Sequence, residues 1–143
     1  IGNMSKLPSK TRKAVERAVY KTKDNKGLKV IMALNYGGRG EILRAVNKLV
    51  EKAKSGEMEQ DCIDEELFES NLYTSGIPDP DLMIRTSGEN RISNFMLWQL
   101  AYTEFWITET LWPEFSIQEL LNALEDYAYR ERRFGKVKEG TPR

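Results

Sequence analysis

Between residues 9 and 23 the apolar positions recur at helical spacing, with Ala14, Val15, Ala18, Val19 and Thr22 on one face. Lys10, Arg12, Lys13, Arg17, Lys21 and Lys23 fall on the other. That basic face reads as solvated, with steering of an anionic substrate or docking on an anionic membrane as the functional alternative. Asn25-Lys26-Gly27 ends the helix, Gly27 being suited to a left-handed cap. Leu28 to Leu34 is mostly apolar and partly β-branched, which predicts a buried strand. A helix over 41–54 would bury Ile42, Leu43, Val46, Leu49, Val50 and Ala53 and stop at Gly56. The acidic stretch from Glu57 to Glu69 carries Asp61, Asp64, Glu65 and Glu66, which suit a helix N-terminus better than a metal. Ile63, Leu67 and Leu72 are the expected buried contacts of that short helix. Leu82-Met83-Ile84 predicts a short strand, and Phe95 to Tyr102, apolar nearly all round, a buried helix. Thr103 to Thr108 reads as another strand. Ser116-Ile-Gln-Glu119 is a capping box opening the last helix, with Ile117, Leu120, Leu121, Leu124, Tyr127 and Ala128 as its stripe. That helix closes in Arg130, Glu131, Arg132 and Arg133, with Gly135 as cap and a polar tail from Lys136. Strands alternating with helices predict an α/β domain with a mainly parallel sheet.

A chain of 143 residues is long enough for one domain with a core. Its 22 basic and 22 acidic residues balance, so net charge makes no case for nucleic acid. The absence of histidine excludes His-based catalysis and His metal ligands within this chain. The single Cys62 excludes an internal disulfide and suits a reducing compartment, so the expected location is cytoplasmic. No apolar run approaches the length of roughly 20 residues that a membrane-spanning helix needs.

Candidate chemistry concentrates between Asp79 and Asn94. The order there reads strand, polar loop, helix start, and ligands of open α/β sheets bind where strands end. Arg85 and Arg91 present two guanidinium forks suited to oxyanions. Ser93 adds a hydroxyl, and a helix behind it would add free N–H groups. The pattern predicts a phosphate or diphosphate site. The plainer alternative pairs both arginines with Asp79, Asp81 or Glu89 and leaves Ser93 as a helix cap. Glu104, flanked by core residues, needs an arginine partner or a metal such as Mg²⁺. Asn35-Tyr36-Gly37-Gly38-Arg39-Gly40 could cradle phosphate, but it lacks the Lys-Ser/Thr pair of a nucleotide-binding loop and reads first as a tight turn, with Arg39 near the site rim.

Several uncommon strings then occur together: Asp81-Leu-Met-Ile-Arg-Thr-Ser-Gly-Glu, Arg91-Ile-Ser-Asn-Phe-Met-Leu-Trp-Gln, Ala101-Tyr-Thr-Glu-Phe, Leu111-Trp-Pro-Glu-Phe and Arg130-Glu-Arg-Arg-Phe-Gly135. With Asn35-Tyr-Gly-Gly-Arg39 and Ile63-Asp-Glu-Glu-Leu67, the chain resembles the cis-prenyltransferases, above all the bacterial undecaprenyl diphosphate synthases. Ser87 departs from the family's usual glycine, and serine fits turns that do not require a positive φ. The resemblance implies the C-terminal half of that fold in a homodimeric enzyme. It would condense isopentenyl diphosphate onto an allylic diphosphate such as farnesyl diphosphate, building an undecaprenyl chain for cell-wall lipid carriers. By resemblance Arg85, Arg91 and Ser93 hold the isopentenyl diphosphate with Ile92 alongside, and Glu104 is a magnesium ligand. Arg133 and Gly135 match an Arg-x-Gly motif that reaches the neighbouring subunit's site. The family's metal-binding Asp-Gly-Asn motif, allylic site and most of its tunnel precede the segment matched here, so this chain alone is expected to be inactive. Two rivals from other classes are a non-catalytic scaffold subunit of a heteromeric synthase and a nucleotide-binding module built on Gly37-Gly38-Arg39-Gly40.

Overall fold

Local sequence decides where helices form here, but it does not decide what covers them. The computed structural model describes residues 1–58 and 62–131. A 3-10 turn at Met4–Lys6 precedes α1 (Ser9–Thr22), α2 (Gly38–Ser55), α3 (Glu65–Glu69), β1 (Leu82–Arg85) and β2 (Glu104–Ile107). A second 3-10 turn at Trp112–Glu114 leads to α4 (Ile117–Tyr129). The chain divides into two compact units, one of Ile1–Pro78 and Asn94–Leu97, the other of Asp79–Ser93 and the residues from Trp98 onward.

In the first unit α1 forms where its periodicity predicts, yet none of its residues is buried. It ends at Thr22, whose carbonyl accepts from the Asn25 N–H at 3.0 Å, and Gly27 does not take the left-handed conformation. The stretch from Leu28 to Leu34 is not a strand among the described residues, and Leu28, Val30 and Met32 are exposed. Strand preference is chiefly a preference for packing against neighbours. Among the described residues the segment's backbone bonds only Ile1, which donates to the Met32 carbonyl at 2.7 Å and accepts from the Leu34 N–H at 2.9 Å.

The buried side of α2 is Gly38, Glu41, Ala45 and Leu49, successive positions one helical turn apart. The predicted face is rotated from it: Leu49 is buried, whereas Leu43, Val46 and Val50 are exposed. The buried side includes Glu41, a charged residue that hydropathy assigns to solvent. Its carboxylate accepts the Tyr73 backbone N–H at 2.7 Å and the Tyr36 hydroxyl, so its burial is compensated. Gly56 closes α2 in the left-handed conformation, as its position predicts. Asp64 caps α3 by accepting the Leu67 N–H at 2.8 Å, which accounts for one carboxylate of the acidic stretch. Phe68 and Leu72 are buried there, while Ile63 is exposed.

In the second unit β1 and β2 run parallel, with Leu82 opposite Glu104 and Arg85 opposite Ile107. The Glu104 N–H bonds the Asp81 carbonyl at 3.0 Å and the Thr108 N–H bonds the Arg85 carbonyl at 2.9 Å. Helix α4 packs on β2 and buries Ala123, but Ile117, Leu121 and Leu124 remain exposed. Ser116 caps it through the Glu119 N–H at 3.3 Å. The Glu119 carboxylate accepts from Thr108 Oγ1 at 3.1 Å. The helix stops at Tyr129, before the arginine cluster, because Arg130 is already extended.

Phe95 to Tyr102 is not a helix but a run of turns. Ser93, Asn94 and Met96 have φ of 48°, 64° and 44°, which a right-handed helix cannot contain. The segment still buries Gln99 and Leu100, so its hydrophobicity reports burial correctly and backbone geometry wrongly.

The Tyr36–Glu41 bond has a pH consequence. Burial and then the neighbouring carboxylate raise the Tyr36 pKa above its ordinary value. A raised folded-state pKa means stability is fully present below the unfolded tyrosine value, about 10, and is lost as pH rises through the folded value. Urea midpoints should therefore fall as pH climbs above about 10, and Tyr36→Phe should flatten that fall. Identical slopes for both proteins would contradict this assignment.

Candidate functional site

Side chains alternate across a strand, so Met83 and Arg85 share one face of the two-stranded sheet with Phe105 and Ile107. With Glu89, Asn90, Arg91 and Ile92 they line a cavity of about 40 Å³. The structure thus brings together Arg85, Arg91 and Ile92, three of the residues singled out from sequence. The Arg85 Nε is buried without a hydrogen-bond partner among the described residues. An unpaired buried donor is costly, and a bound acceptor is the usual remedy.

The cavity is small, and one phosphate oxygen could reach Arg85 within it while the rest of a diphosphate lies at the mouth. Arg91 stands there with its side chain 70 % exposed, its Nη1 2.5 Å from Glu89 Oε2. That pair is the plainer alternative for Arg91: the guanidinium is exposed, whereas the Glu89 Oε2 it meets is buried.

Two of the singled-out residues lie apart from this cavity. Ser93 is exposed, left-handed and outside the cavity lining, and no helix begins behind it to offer free N–H groups. Glu104 lies with Leu82, Ile84 and Trp106 on the sheet face away from Arg85. Its Oε2 accepts from Arg130 Nη1 at 3.0 Å, so the arginine partner is the one the structure displays. Arg130 also bonds Asp126 and the Phe105 carbonyl, and its guanidinium is held above its usual pKa, first by Glu104 and then by Asp126. Among the described residues no group of three or more Cys, Asp or Glu side chains could hold a metal. Arg133 and Gly135 lie outside the described residues.

Sequence reasoning missed Asn94. Its backbone carbonyl accepts the Gly38 N–H at 2.7 Å and its Oδ1 accepts the Arg39 N–H at 2.9 Å. The first two N–H groups of α2 are therefore already taken, which favours the tight-turn reading of Gly37-Gly38-Arg39-Gly40 over a phosphate cradle. A hint was available, since asparagine is among the few residues that accept left-handed backbone and cap helices. In the same unit, a polar cavity of about 380 Å³ is lined by Asn3, Lys6, Tyr36, Glu41, Arg44 and Asn94, among others. Arg44 lies 3.8 Å over the Tyr73 ring and donates to the Asn71 carbonyl at 2.8 Å.

These features coincide with family membership. A prenyltransferase family model described as "Putative undecaprenyl diphosphate synthase" matches residues 1–135, and the chain belongs to that family. An isoprenyl transferase of Oceanobacillus iheyensis is 53 % identical over 96 % of this chain and 54 % of its own length. One from Clostridium perfringens is 50 % identical over 96 % of this chain and 54 % of its own. The chain spans about half the length of the curated relatives it matches. Among solved structures, lavandulyl diphosphate synthase from Lavandula x intermedia, in complex with dimethylallyl diphosphate, superposes with a TM-score of 0.91. It is 44 % identical, over 95 % of this chain and 58 % of that one. A probable undecaprenyl diphosphate synthase from Campylobacter jejuni gives a TM-score of 0.82 at 38 % identity, over 95 % of this chain and 61 % of that one. The expected family and its α/β architecture are thereby confirmed.

The turn after β1 corrects one more expectation. Ser87 has φ 66° and Gly88 φ 63°, so serine occupies a position that does require positive φ. Their N–H groups bond the Thr110 and Thr108 carbonyls at 3.0 and 2.9 Å, which fixes the conformation. A left-handed non-glycine residue costs roughly 1–2 kcal/mol, and glycine's looser unfolded chain returns about 0.4–1 of that. Ser87→Gly should therefore stabilise the protein by about 0.5–1 kcal/mol in urea unfolding. Gly88→Ala should destabilise it, since its Cβ would also meet the Glu109 carboxylate. A Ser87→Gly midpoint below wild type would refute the strain.

Proposed function

We propose that this chain supplies the isopentenyl diphosphate-binding part of a cis-prenyltransferase. In the whole protein, isopentenyl diphosphate would be joined to an allylic diphosphate, farnesyl diphosphate in the first instance, giving a long polyprenyl diphosphate such as the undecaprenyl compound. The observation that carries the reading is the unpartnered Arg85 Nε in a cavity shared with Arg91 and Ile92. Membership of the family supports it.

The bond that breaks in such a condensation joins the allylic carbon to its own diphosphate. The homoallylic double bond attacks that carbon, and a proton then leaves. The diphosphate of isopentenyl diphosphate stays intact, so groups that grip it need only bind and orient. Arg85 would take one oxygen from the cavity floor, and Arg91 would swing from Glu89 to a second. Ile92 would pack beside the head group, and Ser93 would need a rearranged loop to join them. Such uniform binding lowers a Michaelis constant and leaves the chemical step alone.

Magnesium belongs to the proposal through the family resemblance and not through this geometry. A lone carboxylate half committed to Arg130, on the face away from Arg85, does not make a magnesium site, and no step is derived through the metal. A homodimer, with Arg133 and Gly135 reaching a neighbouring site, is likewise proposed for the whole protein. So is work at a cytoplasmic membrane surface; no helix among the described residues is long and apolar enough to cross a membrane.

The test is calorimetric. Isopentenyl diphosphate should bind the purified chain, and Arg85→Ala should weaken it by about 10- to 150-fold, the equivalent of a charge-assisted bond of about 1.5–3 kcal/mol. No binding to the wild-type chain would favour the scaffold alternative. Incubated with both substrates and Mg²⁺, the chain alone should form no polyprenyl diphosphate; long product would overturn the division of labour.

A further inference from the structure

The positive charge of this chain is gathered in one stretch. Nine of its 22 basic residues, but only two of its 22 acidic ones, lie between Ile1 and Lys29. Five of the nine stand on α1. At helical spacing Lys10, Lys13, Arg17 and Lys21 fall on one narrow line along that helix, roughly 16 Å long. All four are exposed, and among the described residues none of them meets a carboxylate. The helix's own acid, Glu16, lies off that line, 3.9 Å from Arg12.

A face that is merely solvated interleaves opposite charges four residues apart. Here Lys13, Arg17 and Lys21 follow one another at that spacing with like charge, which weakens a helix. The first turn holds Lys10 and no acid, although the N-terminal end of a helix disfavours cations. Neither cost is offset by a contact among the described residues. Val15, Val19 and Thr22 lie on the opposite side of the helix, so the cationic line is free of its apolar positions. Tyr20, 71 % exposed, stands beside the line with the Lys23 ammonium 4.5 Å over its ring. An apolar ring with a wet hydroxyl suits the headgroup layer of a bilayer. From these observations we infer that the line of Lys10, Lys13, Arg17 and Lys21 is a docking surface for a membrane bearing anionic phospholipid headgroups. Cations in a row on an exposed helix meet a plane of phosphates together, and each adds attraction. The balanced total charge argues against nucleic acid as the occupant. The choice of a membrane rests on the reading above: a long polyprenyl diphosphate is itself a lipid, and a protein held at a bilayer releases it where it dissolves.

Co-sedimentation of the purified chain with vesicles tests it. The wild type should bind vesicles of phosphatidylcholine mixed with an equal amount of phosphatidylglycerol and not vesicles of phosphatidylcholine alone, and binding should fade as salt rises. Lys13→Gln, Arg17→Gln and Lys21→Gln together should weaken the partition constant about 100-fold, about fivefold for each cation removed. Glutamine keeps the helix and removes the like-charge neighbours, so Tm should not fall. Lys48→Gln, Lys52→Gln and Lys54→Gln, the same change of charge on α2, should weaken binding far less. Equal losses in the two triple variants, or no binding to the anionic vesicles, would overturn the inference. So would binding to a double-stranded RNA with none to vesicles. Calorimetry with isopentenyl diphosphate separates the two claims. Wild-type affinity for it in the α1 variant supports a surface apart from the diphosphate site. A wild-type chain that binds anionic vesicles but not isopentenyl diphosphate supports the surface and overturns the reading beneath it.

Discussion

The site depends first on the parallel pairing of β1 with β2. Two four-residue strands make a marginal sheet by themselves. The hydrogen bonding continues past both ends, from Asp81 with Glu104 to Ser87 with Thr110. Thr103 Oγ1 adds a bond of 2.7 Å to the Pro80 carbonyl. This extended pairing decides which face each functional side chain takes, because one residue of slip would exchange the faces. It places Arg85 over the cavity with Phe105 and Ile107 and turns Glu104 toward Arg130. It also forces the turn at Ser87-Gly88 into left-handed backbone, since both N–H groups must reach carbonyls of the segment after β2.

Much of what reads as core in the sequence is open in the structure. Helix formation is a local matter of spacing, caps and propensity, and α1, α2 and α4 form where those signals stand. Burial depends on what lies opposite. Among the described residues little lies against Leu28, Val30 and Met32, against Leu43 and Val50 of α2, or against Ile117, Leu121 and Leu124 of α4. Apolar side chains on this scale normally contribute stability by leaving water, roughly 1.5–3 kcal/mol each when fully buried. That contribution is not realised at these positions here.

The legible part of the molecule is therefore specific in kind. Caps and chain stops were readable at Asp64, Ser116 and Gly56 because one residue and its near neighbours settle them. The strands at Leu82 and Glu104 and their parallel sense were readable from short apolar runs separated by a long connection. The arginine loop was readable because guanidinium chemistry is strongly typed. What escaped required distant partners. Glu41 is buried only because Tyr36 and Tyr73 come to it, and Asn94 matters only because Gly38 and Arg39 do. The Phe95–Tyr102 stretch misled because hydrophobicity all round signals burial, and burial was taken for a helix. Three left-handed residues at its start are not visible in hydropathy.

Glu104 shows how far a typed residue can be interpreted before its neighbours are known. Its sequence setting left two partners open, a guanidinium or a metal ion. Arg130 fills the first role thoroughly: Nε and Nη2 go to Asp126, and Nη1 is shared between Glu104 and the Phe105 carbonyl. A fork occupied on every nitrogen holds its geometry, and with it the end of α4 against β2. Drawing Glu104 wholly to a cation would break a charge-assisted bond and leave Arg130 Nη1 with a backbone oxygen alone.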